Sequence, residues 1–142
     1  LSGDWSSDVC SSDLQWNNDF DKAKKEMKNY NIVLDSASII LFERFLNECK
    51  SKNIKIVFIY PPEYIEGQKF VKNRRSIISL YEKYSKKYNI PYYDYSRDPL
   101  SFQKNFFYNA SHLNKTGAEL FTKKLIDSLK KYNYPISILG SK

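Results

Sequence analysis

The chain has 142 residues, 42% hydrophobic and 16% aromatic, and its 23 Lys and Arg outweigh 16 Asp and Glu for a net charge of +7. That length predicts one domain of ordinary size with enough apolar mass for a packed core. No apolar run approaches the roughly 20 residues that span a bilayer; Ile39-Ile40-Leu41-Phe42, for one, ends at Glu43 and Arg44.

The first fourteen residues, LSGDWSSDVCSSDL, stand apart from the rest. They hold none of the basic residues, show no apolar periodicity and lack the apolar stretch of a secretory signal. The run GDWSSDVCSSDL is similar to a translated sequencing-library adapter joined to a truncated reading frame. Residues 1–14 are therefore read as a non-native leader, expected to pack against nothing, and the natural protein is expected to continue upstream of Gln15. Cys10 then drops out, Cys49 stands alone and no intrachain disulfide is expected. The GDS-like look of Ser2-Gly3-Asp4-Trp5-Ser6-Ser7 is not taken as a nucleophile motif. Setting aside Asp4, Asp8 and Asp13 from the 16 acidic residues leaves 13 against 23 basic ones, a net charge of +10.

Such a charge invites a nucleic-acid reading. The lysines, however, are spread along every helix-like segment among Asn, Ile, Tyr and Phe, as an AT-rich genome would encode. A tight basic cluster, Lys72-Asn73-Arg74-Arg75, falls inside a helical pattern. No nucleic-acid partner is expected, whereas a mildly anionic one such as an acidic polysaccharide is compatible.

Residues 15–35 read as a linker or partial upstream segment, with a short polar helix or linker over 18–30 and then Ile32-Val33-Leu34. From Asp35 or Ser36 as cap, apolar positions 39, 42, 45, 46 and 49 recur at helical spacing to Lys52, and Asn53 stops the helix. Ile54-Lys55-Ile56-Val57-Phe58-Ile59-Tyr60 has the composition of a strand buried on both faces, ended by Pro61-Pro62. A loop through Gly67 leads to a helix over 69–88, with Phe70, Arg74, Ile77, Ile78, Tyr81 and Tyr84 on its buried side and Asn89 ending it. Ile90-Pro91-Tyr92-Tyr93-Asp94-Tyr95 is a second strand, followed by a polar loop over 96–106. A last helix spans 115–132, with Ala118, Phe121, Leu125 and Leu129 on one face. Thr116 and Glu119 have capping-box spacing, with Asn114 as an earlier start. Residues 36–134 form the domain-like part and 135–142 a tail.

Helix, strand, helix, strand, helix is the rhythm of α/β proteins with a parallel sheet. Right-handed crossovers place the two strands side by side, covered by the helices 36–52, 69–88 and 115–132. Two strands each leave an edge open, and the upstream segment is the expected place for the rest of the sheet.

The only histidine, His112, lies in Phe107-Tyr108-Asn109-Ala110-Ser111-His112-Leu113-Asn114-Lys115-Thr116-Gly117-Ala118-Glu119-Leu120-Phe121. A strand ending in Tyr60-Pro61-Pro62-Glu63-Tyr64, a helix, a strand ending in Asp94-Tyr95, then His112-Leu113-Asn114 and Gly117-Ala118 resembles the C-terminal half of SGNH (GDSL-type) hydrolases. The resemblance covers about residues 36–132. It implies a flavodoxin-like three-layer α/β/α fold and serine ester hydrolysis of acyl or acetyl esters on a small molecule, a lipid, or a polysaccharide or other glycan.

In that family His112 matches the general base, and position 109, normally aspartate, is Asn109. The family's serine, glycine and asparagine follow the first, second and third strands, outside the matching region. No serine in 15–142 sits in a matching motif, so the chain alone is expected to be inactive. A comparable Asp-to-Asn change in a serine protease costs about 10⁴ in turnover by holding the wrong tautomer. Either Asp94 or Asp98 supports His112 instead, or a Ser-His pair suffices, or the reaction is lost. Alternatives are an O-acetyltransferase of the same fold and a non-catalytic flavodoxin-like binding domain.

Other residues read structurally. Asn114 caps the last helix and Gly117 permits close approach to the sheet. The Tyr60–Tyr64 stretch terminates a strand, while its place on the carboxyl edge makes Tyr60, Glu63 and Tyr64 candidate substrate contacts. Cys49 lies on an apolar helix face. No metal is expected, since one histidine and one usable cysteine make no zinc site. No cofactor is expected, since four glycines form no phosphate loop.

Overall fold

The computed structural model describes residues 16–131, so the expectations for 1–14 and for 135–142 lie outside the described residues. The order is α1 (Asp19–Glu26), α2 (Ser36–Ser51), β1 (Phe58–Tyr60), α3 (Ile65–Phe70), α4 (Arg74–Tyr88), β2 (Tyr92–Asp94), two 3-10 turns (Pro99–Phe102 and Lys104–Phe106) and α5 (Lys115–Lys131). β1 and β2 pair in parallel, Phe58 opposite Tyr92 and Tyr60 opposite Asp94, as the crossover rule predicts. The result is a mixed α/β arrangement around a two-stranded parallel sheet.

The helix ends follow from local chemistry. The Asp35 carboxylate accepts from the Ala37 and Ser38 amides and so caps α2. Asn53 and Asn89 take left-handed backbone conformations, φ 55° and 52°. Beyond them the Ile54 amide reaches back to the Cys49 carbonyl, 2.8 Å, and that of Ile90 to Ser85, 2.9 Å. Asparagine tolerates this conformation, and the reversed bonds satisfy carbonyls that the helix leaves open. Each helix is thus turned into the strand that follows it.

The core lies between α2, α4 and one face of the sheet. Leu46, Phe58, Tyr84 and Ile90 are buried there, with Ile39, Phe42, Ile56, Leu80, Tyr81 and Tyr92 packed around them. Phe42 meets Tyr81 and Tyr84 edge-on at 6.0 and 5.5 Å. Full burial of an aliphatic side chain such as Leu46, 1% exposed, contributes about 1.5–3 kcal/mol. α5 approaches from the far end of β2, Phe121 lying edge-on to Tyr95 at 5.1 Å.

The structure corrects three expectations. The helix expected over 69–88 is two helices, because Val71 bridges to Tyr30 and the Asn73 amide grips Ile32 through two 2.7 Å bonds. The regular strand is shorter than 54–60, since Ile54 is still completing the end of α2. Nor is β1 buried on both faces. Phe58 is buried, but Ile59, facing the other way, is 37% exposed. Upstream of α2, Phe20 of α1 is buried and meets Phe70 edge-on at 5.6 Å. Among the described residues no helix is long and apolar enough to cross a membrane.

Candidate functional site

His112 sits in a tight reversal beyond β2. Phe107 and Leu113 form a single antiparallel bridge, the Tyr108 amide donates to the His112 carbonyl (2.8 Å) and the Asn114 amide to that of Phe106 (2.9 Å). Asn109 organises the turn within. Its Oδ1 accepts from the Ser111 amide at 3.0 Å and the His112 amide at 2.9 Å, and lies 2.9 Å from His112 Nδ1. Ser111 Oγ lies 3.1 Å from the same Nδ1 and 3.3 Å from Oδ1. The other ring nitrogen, Nε2, has no hydrogen-bond partner among the described residues, and the histidine is exposed.

The turn is clamped to the loop that follows β1. The Tyr64 amide donates to the Ala110 carbonyl at 3.0 Å, and that of Asn17 to Tyr108 at 2.7 Å. Gly67 allows the close contact, for a Cβ there would stand 2.8 Å from that of Ala110. Below the turn Phe107 is 1% exposed and packs on Tyr64, which Trp16 covers edge-on at 5.3 Å. On the helix side Asn114 is the cap of α5, its Oδ1 accepting from the Gly117 amide at 3.0 Å, so the Thr116–Glu119 alternative does not start the helix. Gly117 serves a close approach to the turn and not to the sheet, since a Cβ would fall 2.3 Å from the Phe106 carbonyl oxygen. The loops after both strands therefore meet at the carboxyl edge of the sheet, where open α/β sheets bind their ligands.

The remaining sequence candidates are engaged elsewhere. Asp94 accepts from the Ser96 amide at 2.8 Å. Asp98 caps a 3-10 turn through the Leu100 amide at 3.0 Å and pairs with Lys124. Neither carboxylate bonds the imidazole. Tyr60 donates to Glu63 at 2.5 Å, and the Arg74 guanidinium lies over the Tyr60 ring, 4.7 Å from its centre. Burial, then the Glu63 hydrogen bond and charge, push the Tyr60 hydroxyl far above its usual range. Burial, then the Asp94 charge, push Tyr92 up to about 12. Tyr60 and Glu63 thus brace the loop after β1, and the Tyr64 amide ties that loop to the histidine turn.

Gln68, Trp16 and the packing role of Gly67 have no signature in the sequence. Gln68 is buried and donates to the Glu63 and Ser96 carbonyls, both at 2.8 Å, tying the two post-strand loops together. No local signal announces such a residue. Arg74 did carry one, as a cation on an otherwise apolar helix face. Cys49 is buried, and no group of His, Cys, Asp and Glu among the described residues could hold a metal ion. A groove of about 550 Å³, lined in part by Leu46, Ile54, Ile56 and Ile90, opens at the amino ends of the strands, the opposite edge from His112.

Fold and site together define a mixed α/β chain that presents one oriented imidazole on the carboxyl edge of a parallel strand pair. Comparison with family models, with curated proteins and with solved structures gives no match.

Proposed function

We propose that the chain is the C-terminal half of an SGNH-type ester hydrolase of flavodoxin-like α/β/α architecture, with His112 as its general base. The serine nucleophile and the oxyanion donors are supplied by residues outside this stretch. The observation that carries the reading is the His112–Asn109 contact at 2.9 Å on the carboxyl edge, with Nε2 left free. The motif His112-Leu113-Asn114 with Gly117-Ala118 supports it, as does the parallel order of β1 and β2.

In this reaction Nε2 takes the serine proton as Oγ bonds to the ester carbonyl carbon. The imidazolium returns the proton to the departing sugar oxygen, and water, deprotonated by the same nitrogen, releases the acid. An O-acetyltransferase differs only in the last step, where a second hydroxyl replaces water.

The test is an assay of acetyl-ester cleavage by this chain and by a longer chain containing its upstream coding sequence. The 142-residue chain should show no turnover above background, since a base without its partners gives almost nothing. The longer chain should release acetate, and transfer to an added glycan in place of release would identify the transferase. Absence of both activities would favour a flavodoxin-like binding domain, in which Asn109 at the aspartate position marks a decayed site.

A further inference from the structure

We infer that Asn109 is a positioning residue that fixes His112 as the Nδ1–H tautomer, so that Nε2 carries the free lone pair without help from a carboxylate. The inference rests on the proposed base role but concerns a property of the ring that can be read whether or not the chain is active.

An asparagine beside an imidazole can act in two opposite ways. If its NH₂ faces the ring it donates to Nδ1, placing the proton on Nε2 and abolishing the base; that is the damage done by the protease substitution. If its oxygen faces the ring it accepts from Nδ1–H, and Nε2 is free. The choice between amide orientations is normally open, because oxygen and nitrogen look alike and the hydrogen-bond network must decide. Here the network decides.

The amide atom facing Nδ1 also faces the Ser111 and His112 backbone amides at 3.0 and 2.9 Å. Backbone N–H groups can only donate, so an NH₂ in that place would oppose two donors at once. The atom must be oxygen. An acceptor 2.9 Å from Nδ1 then calls for a proton on Nδ1. Ser111 does not upset this, since its hydroxyl can donate to the same Oδ1 at 3.3 Å or accept from Nδ1–H at 3.1 Å.

The geometry also accounts for the idle carboxylates. Asp98 is held by Lys124 and the Leu100 amide, and Asp94 by the Ser96 amide, so neither is needed at the ring. Aspartate at position 109 would accept the same three donors, and its charge would add stabilisation of the imidazolium but no change of tautomer. Asparagine therefore keeps the positioning half of the aspartate's role and gives up the electrostatic half.

The experiment is a long-range ¹H–¹⁵N correlation spectrum of the imidazole in the 142-residue chain. It is recorded near pH 9, above the ordinary histidine range of about 6.5. With one histidine in the sequence, one ring is seen and no assignment is needed. The expected result is a protonated, pyrrole-type Nδ1 and an unprotonated, pyridine-type Nε2. Asn109→Asp and Ser111→Ala should keep that pattern, and Asn109→Ala should lose it, moving toward the Nε2–H form that an unconstrained histidine prefers. A wild-type ring with its proton on Nε2 overturns the inference. So does an Asn109→Ala ring that stays Nδ1–H, or a Ser111→Ala ring that does not. The wild-type and Asn109→Asp spectra decide even if the alanine variant loosens the turn. A confirmed tautomer beside an inactive longer chain would defeat the hydrolase reading alone.

Discussion

At the scale of single residues, two glycines and two tyrosines make the account testable. Gly67→Ala pushes a methyl against Ala110 in the histidine turn, and overpacking of this kind costs about 1–3 kcal/mol. Gly117→Ala should cost more, because the obstacle is the Phe106 carbonyl oxygen at 2.3 Å and a backbone atom yields less readily. That outcome runs against helix propensity, which alone would favour alanine by about 1 kcal/mol. Denaturant midpoints of both variants check the order. The tyrosines predict an alkaline limit. Tyr60 and Tyr92 titrate above the 10.0 of a free phenol, so between that value and the folded ones the native state holds protons that the unfolded state has lost. Their contribution is complete below pH 10.0 and is lost as pH rises through the folded values. The melting temperature should fall above that pH, and phenolate absorbance should show late-titrating tyrosines among the 12 present, with one fewer in Tyr60→Phe.

At the scale of elements, what the sequence disclosed and what it withheld divide along range of interaction. The ends of α2 and α4 were legible because Asn53 and Asn89 act on their own helices, and Asn114 was legible as a cap for the same reason. Parallel pairing was legible because the order of elements leaves few alternatives. The break between α3 and α4 was not, since it is imposed by Tyr30 and Ile32, some forty residues earlier in the chain. A helical pattern over 69–88 carries no trace of a partner that distant. Of the candidate site, His112 was readable as a unique residue in a motif, whereas the way its turn is anchored to Tyr64, Gly67 and Asn17 exists only in three dimensions. Asn73→Ala should therefore affect the α3–α4 break more than its surface setting suggests. Loss of two bonds to the Ile32 backbone is expected to cost about 1–3 kcal/mol. Hydrogen exchange at the Ile32 amide should accelerate while that at the Phe58 amide in the core stays slow.

At the scale of the whole molecule, the described residues leave much apolar surface uncovered. On α2, Ile40 and Leu41 are each 60% exposed and Phe45 52%, while Ile59 looks out from the face of β1 opposite the core. Within the described residues β1 has a partner on one side only. Two-stranded sheets are marginal in water, and an open edge beside apolar side chains invites association. The chain on its own should therefore bind a hydrophobic dye and self-associate with rising concentration. The double change Leu41→Lys and Phe45→Lys should reduce both effects without altering helix content. A strictly monomeric, dye-silent chain would mean that these surfaces are already covered. The central claim is the role of His112, and the most direct measurement is acetyl-ester turnover in the longer chain, wild type against His112→Ala. The account predicts a fall of several orders of magnitude, on the scale of about 10⁴–10⁶ seen when a member of a catalytic unit is removed. Turnover unchanged in His112→Ala would contradict it, leaving the imidazole as a surface residue beside the cap of α5.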